Sequence, residues 1–157
     1  MIVIGYQGIG KTTLAKDDYR FIDLDSHIFK RFPGDWVTIY CTVAEVLSSQ
    51  GYTVFVSAHE HVQDALFGST ELVYFCYPCL ELQKEWLDRL NQRQKESGLS
   101  KDWHAYNRAA AYYKDDIKKM MENGADRSIV ITSMDYNLKR AIVDRIEYEN
   151  NKAALAE

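Results

Sequence analysis

Gly5-Tyr6-Gln7-Gly8-Ile9-Gly10-Lys11-Thr12 fits the pattern G-x-x-x-x-G-K-[ST] without departure. The spacing has a chemical reason: glycines let successive backbone N–H groups converge on phosphates, the lysine reaches the outer phosphates, and the hydroxyl ligates Mg²⁺. The flanks supply the context that the motif requires. Met1-Ile2-Val3-Ile4 is a short apolar run that reads as a strand, and Thr12-Thr13-Leu14-Ala15-Lys16 can open a helix. Strand, loop and helix in that order set the phosphates at a helix N-terminus.

Outward from the loop, the order of elements predicts an α/β fold. Arg20 to Asp25 reads as a second strand, and period-two alternation puts Phe21, Asp23 and Asp25 on one face. Pro33-Gly34 marks a turn. Val37, Tyr40, Val43, Ala44 and Leu47 recur at helical spacing up to Gln50-Gly51. Tyr52 to Ser57 is a third strand, His59 to Phe67 a short helix, and Glu71 to Tyr77 a fourth strand stopped by Pro78. Two longer helices are expected over about 79 to 96 and from about 100 to 123. The second carries Trp103, Tyr106, Ala110, Tyr113, Ile117 and Met120 as a core-facing stripe. Ser128 to Thr132 is a fifth strand, Asp135 is expected to cap a last helix, and the polar tail beyond about Asn150 to fray. Strands alternating with helices call for a mostly parallel sheet covered on both faces, with ligands at the rim formed by the strands' carboxyl ends.

Composition narrows the class. A chain of 157 residues that is 46% hydrophobic and 27% charged is expected to form one globular domain. A net charge of −4 gives no general field for nucleic acid or an anionic membrane. No apolar run approaches the roughly 18 residues of a membrane span, and no export signal is evident. Three cysteines, an odd number, agree with a reducing compartment, so a cytoplasmic location is expected. Cys76-Tyr-Pro-Cys79 stands alone as a C-x-x-C and reads as buried thiols.

The loop at residues 5–12, five strands, an acidic pair ending the second strand, and spaced arginines ahead of the last strand resemble the small P-loop kinases, which include nucleoside monophosphate, shikimate and gluconate kinases. The resemblance implies a three-layer P-loop fold with strand order 2-3-1-4-5, an acceptor region at about 26–50 and a helical lid at about 79–123. It implies that ATP is held by Gly5, Gly8, Ile9, Gly10, Lys11, Thr12 and Thr13, with Arg89 beside it. Asp23 and Asp25 are similar to the Asp-x-Asp of shikimate kinases, in which one carboxylate helps hold the metal and the other binds the acceptor hydroxyl. Thr12 and Asp23 are thus expected at Mg²⁺, while Lys11, Asp23, Asp25 and Arg93 carry the chemistry. Asp25, His27, Arg31 and His59 are expected toward the acceptor, a small molecule of nucleotide or nucleoside type.

Plainer readings stand beside these. Asp23 or Asp25 can cap the next helix, Arg89 can pair with Glu85 one turn earlier, and Lys30, Arg31 and Arg108 can be ordinary surface charges. Trp36 and Tyr40 either flank an acceptor base or pack in the core. His59 and His61 are two apart, a weak metal pattern. The third strand ends in Ser57, where P-loop proteins often carry an acid, and there is no Asn-Lys-x-Asp of a GTPase switch. A kinase of a non-nucleotide alcohol or of a hydroxymethylated base in DNA, and an ATP-dependent regulatory switch, remain open alternatives.

Overall fold

The computed structural model describes residues 1–154. Five parallel strands form one sheet in the order β2-β3-β1-β4-β5, with β1 at Ile2–Gly5, β2 at Phe21–Asp23, β3 at Thr53–Ser57, β4 at Val73–Pro78 and β5 at Ser128–Ile131. The central strands are buried along their whole length, as a parallel strand covered on both faces must be. Ile2 pairs with Val54 on one side and Val73 on the other, which brings Gly5, Ser57 and Cys76 level at the carboxyl rim.

The helices are α1 (Lys11–Asp17), α2 (Ser26–Phe29), α3 (Trp36–Ser49), α4 (Glu60–Leu66), α5 (Gln83–Ser97), α6 (Ser100–Gly124) and α7 (Leu138–Ala154). Right-handed crossovers decide their faces: the chain moves one way from β1 to β2 and the other way through β3, β4 and β5. Accordingly α1 packs with α7, while α3 packs with α4 and α6 lies over β4. Lys119 of α6 pairs with Glu60 of α4, and Asn123 donates to Gln63 at 2.9 Å, which joins that second layer. Among the described residues no helix is long and apolar enough to cross a membrane.

Several boundaries differ from the sequence expectation. The second strand ends at Asp23, because Asp25 leaves the ladder to cap α2: its carboxylate accepts from the His27 amide at 2.9 Å. The alternation argument therefore does not orient Asp25. Pro78 lies inside β4, where its missing donor is tolerated at the strand's end. The first of the two long helices starts only at Gln83, after a 3₁₀ turn at Leu80–Leu82.

In α6 the buried positions are Asp102, Ala109, Tyr113, Ile117, Met120 and Gly124; Trp103 is 53% exposed and Ala110 also faces outward. The expected stripe is one residue out of phase in its first half, because the helix breaks at Tyr112 (φ −134°, ψ 17°) and each half presents its own face. Asn137, rather than Asp135, caps α7, accepting from the Arg140 amide at 2.9 Å. That helix runs on to Ala154 past the point where fraying was expected. The thiols of Cys41, Cys76 and Cys79 are free, and burial pushes Cys76 up to about 12, so it is inert.

Candidate active site

The glycine loop follows from its backbone. Gly8 (φ +85°) and Gly10 (φ +96°) adopt the left-handed conformation that a side chain disfavours. A Cβ at Gly8 would also meet Leu90 Cδ2 at 3.0 Å and Trp86 Nε1 at 3.2 Å, so α5 lies directly against the turn. Three contacts clamp the loop. Trp86, fully buried, donates from Nε1 to the Gln7 carbonyl at 2.9 Å; Gln7 Nε2 donates to the Ala105 carbonyl of α6 at 2.8 Å; the Tyr136 hydroxyl donates to the Ile9 carbonyl at 2.8 Å.

Lys11 opens α1 and turns back over the loop. Its ammonium donates to the Gly5 carbonyl at 2.8 Å and the Tyr6 carbonyl at 3.1 Å. Desolvation depresses its pKa, the Asp23 carboxylate opposes that shift, and the Arg93 charge adds to it. Thr12 donates to Asp23 Oδ2 at 2.6 Å, which joins the loop hydroxyl to the end of β2. This hydroxyl–carboxylate pair fits Mg²⁺, which takes one or two protein groups and completes its octahedron with phosphate oxygens and water. Among the described residues no cluster of three or more His, Cys, Asp or Glu could hold a metal unaided.

Beside Lys11 opens a cavity of about 1000 Å³ at the carboxyl rim. Lys11, Asp25, His27, Lys30, Trp36, Ser57, His59, His61, Lys101, Arg108 and Asp116 are among its walls. Tyr40, buried in the core, braces the mouth: its hydroxyl donates to the Leu24 carbonyl at 2.7 Å and accepts from the Ser57 amide at 2.9 Å. That tie sets the chain after β2, with Asp25, against the chain after β3, with His59. Trp36 lines the cavity and Tyr40 does not. Lys101 of α6 pairs with Asp25 Oδ2 at 3.6 Å, which lays the helical hairpin across the opening.

His59 Nε2 lies 2.9 Å from Lys30 Nζ. Desolvation first, then the charges of Lys30, Arg108, His61 and Lys11, depress its pKa to about 4. The imidazole is solvent-exposed across the cavity, and water there trims that depression. It is therefore neutral at neutral pH. Arg31, outside the cavity lining, rests on His27 Nε2 at 3.3 Å.

A second groove, of about 540 Å³, runs along the other side of the loop past Gly8, Ile9, Gly10 and Thr13 to Arg89, Tyr136, Asn137 and Lys139. Arg89 is not paired with Glu85. It stacks on Trp86 and Tyr136, its centre 4.9 Å and 5.4 Å from the rings, and donates to the Tyr136 hydroxyl at 3.0 Å and the Gly8 carbonyl at 3.4 Å. Arg89 thus braces the loop and forms a wall of this groove, while Arg93 pairs with Asp102 of α6. Arg108 is held by Asp116 on its own helix, with Nε to Oδ2 at 2.9 Å.

Sequence reasoning missed Asp102 and Lys101, the partners of Arg93 and Asp25. Asp102 is 3% exposed; its Oδ1 lies 2.5 Å from Arg93 Nη2 as an ion pair and, among the described residues, has no hydrogen-bond partner. The available signal was an acid in the first turn of a helix, three residues before Ala105 and seven before Ala109, on the face that the fold buries.

The chain matches no family model and no curated protein, so the reading of this site stands on its own geometry.

Proposed function

We propose that this protein is an ATP- and Mg²⁺-dependent phosphotransferase of the small P-loop kinase type, which moves the γ-phosphate to a small acceptor, a nucleotide or nucleoside. The observation that carries the reading is the juxtaposition of the Thr12–Asp23 pair and Lys11, on a left-handed glycine turn, with an acceptor-sized cavity bordered by Lys11 and Asp25. A switch without an acceptor has no use for a cavity of that size on the chemical side of the loop.

The loop amides and Lys11 bind the β- and γ-phosphates, whose oxygens replace the Gly5 and Tyr6 carbonyls as partners of the ammonium. Thr12 and Asp23 would hold Mg²⁺, which would supply charge neutralisation to the triphosphate. The groove lined by Arg89, Tyr136 and Asn137 offers stacking and polar groups to a base. An acceptor oxygen forms the new bond to γ-phosphorus as the bond to the bridging oxygen breaks and ADP leaves. A hydroxyl acceptor gives its proton to Asp25; a phosphate oxygen has none to give. Arg93, steadied by Asp102, neutralises charge on the transferring group. Closure of α5 and α6 over the loop keeps water out, which limits hydrolysis.

The test is incubation with γ-labelled ATP, Mg²⁺ and a panel of nucleosides, monophosphates, small alcohols and hydroxymethylated DNA. Label in one acceptor class is expected. Label only in free phosphate overturns the reading in favour of an ATPase or switch.

A further inference from the structure

Lys30 is anchored in an unusual way for a surface lysine. Among the described residues it has no carboxylate within ion-pair distance; its ammonium lies 2.9 Å from His59 Nε2 and 5.2 Å over the Trp36 ring. The other basic side chains of the cavity, apart from Lys11, already have acids: Lys101 has Asp25, Arg108 has Asp116 and Lys119 has Glu60. Five basic residues line the cavity against three acidic ones, and the surplus lies at Lys11 and Lys30. Lys11 is committed to the glycine loop.

Imidazole and an aromatic face are neutral partners, weaker for an ammonium than a carboxylate or phosphate. For Lys30 to donate, His59 must present Nε2 without its proton. An arriving anion takes over the lysine without breaking an ion pair, so no acid has to be displaced. Trp36, whose ring also meets His59 edge-on at 6.0 Å, supplies a flat apolar wall beside the same point.

We propose that Lys30 and His59, backed by Trp36, form an anion subsite of the acceptor cavity, and that the acceptor brings its own phosphate monoester, as a nucleoside monophosphate does. This rests on the phosphotransferase reading and narrows it: a neutral alcohol or free nucleoside leaves Lys30 without its anion. A compact ammonium with three rotatable donors suits a monoester's oxygens, and the cavity volume accommodates a nucleotide.

Calorimetry on the full chain with nucleoside 5′-monophosphates and the matching nucleosides tests the subsite, using wild type, Lys30→Met and His59→Gln. NMR titration of the His59 ring adds an independent readout, because an anion that neutralises Lys30 relieves the repulsion on the imidazole. The monophosphate is expected to bind at least tenfold more tightly than its nucleoside. Lys30→Met is expected to remove most of that gap, and the bound monophosphate to raise the His59 pKa. Equal binding of nucleoside and monophosphate, or a gap that survives Lys30→Met, overturns the subsite. ATP titrations of the same samples separate the two failures: wild-type protein that does not bind ATP overturns the parent reading instead.

Discussion

Replacing Gly8 and Gly10 by alanine, one at a time, separates the two demands that the loop makes on its glycines. Both residues are left-handed, at φ +85° and +96°, so each alanine incurs the same conformational penalty of about 1–2 kcal/mol. Their surroundings differ. A Cβ at Gly10 meets nothing within 4 Å, whereas a Cβ at Gly8 presses on Leu90 Cδ2 at 3.0 Å and on Trp86 Nε1 at 3.2 Å. Trp86 Nε1 is the donor that holds the Gln7 carbonyl, and shifting it forfeits a hydrogen bond of about 1 kcal/mol. Gly10→Ala should therefore lose about 1–2 kcal/mol and Gly8→Ala about 1 kcal/mol more. For a domain of this size each kcal/mol lowers Tm by about 2–4 °C. Urea denaturation and thermal melts of the three proteins, followed by tryptophan fluorescence, give the comparison. Equal losses for the two variants, or no loss for Gly10→Ala, would refute the packing of α5 against the turn or the turn itself.

Three further outcomes follow from the site. Asp102→Asn deprives Arg93 of its charged partner; with Arg93 half-exposed, a loss of about 1–3 kcal/mol is expected in denaturation, together with at least a tenfold fall in kcat at little change in the ATP KM. A fall confined to KM would contradict a role in the transition state. Trp86→Phe removes the donor to the Gln7 carbonyl and should cost about 1 kcal/mol plus a weaker grip on ATP, measured by denaturation and calorimetry. Burial and the neighbouring cations depress the folded His59 pKa toward about 4, from about 6.5 unfolded, so the unfolded chain binds the extra proton in the window between the two. Stability should rise with pH across that window, and His59→Gln should flatten the rise; an unchanged slope would show that the imidazole is not held neutral.

The fold was legible because its strongest signals are local. Apolar runs such as Ile2 to Ile4 and the branched stretch of β3 declare buried strands, and the glycine loop fixes where the first helix must start. The strand order came from resemblance to the P-loop kinases, since no local pattern encodes which strands become neighbours. The Thr12–Asp23 pair was legible for the same reason, both residues lying beside recognisable motifs. Asp25 was placed by alternation, yet the strand ends two residues earlier, at Asp23, and Asp25 caps the next helix instead. The phase of α6 was missed at Trp103 because the break at Tyr112 carries neither proline nor glycine to announce it. Asp102 and Lys101 were missed because their partners, Arg93 and Asp25, come from other elements and meet them only in the folded chain. Arg89 was expected beside the glycine loop and lies against it, but its contacts with both Trp86 and Tyr136 depend on a residue 47 positions away in the chain.

The central claim is that the glycine loop grips a triphosphate with its metal at Thr12 and Asp23. Isothermal calorimetry of ATP binding, with and without Mg²⁺, on wild type, Lys11→Met and Asp23→Asn tests it most directly. Wild type should bind ATP more tightly with Mg²⁺, Lys11→Met should lose at least a hundredfold in affinity, and Asp23→Asn should lose most of the Mg²⁺ enhancement. ATP binding that is absent in wild type, or indifferent to Lys11, would contradict the account.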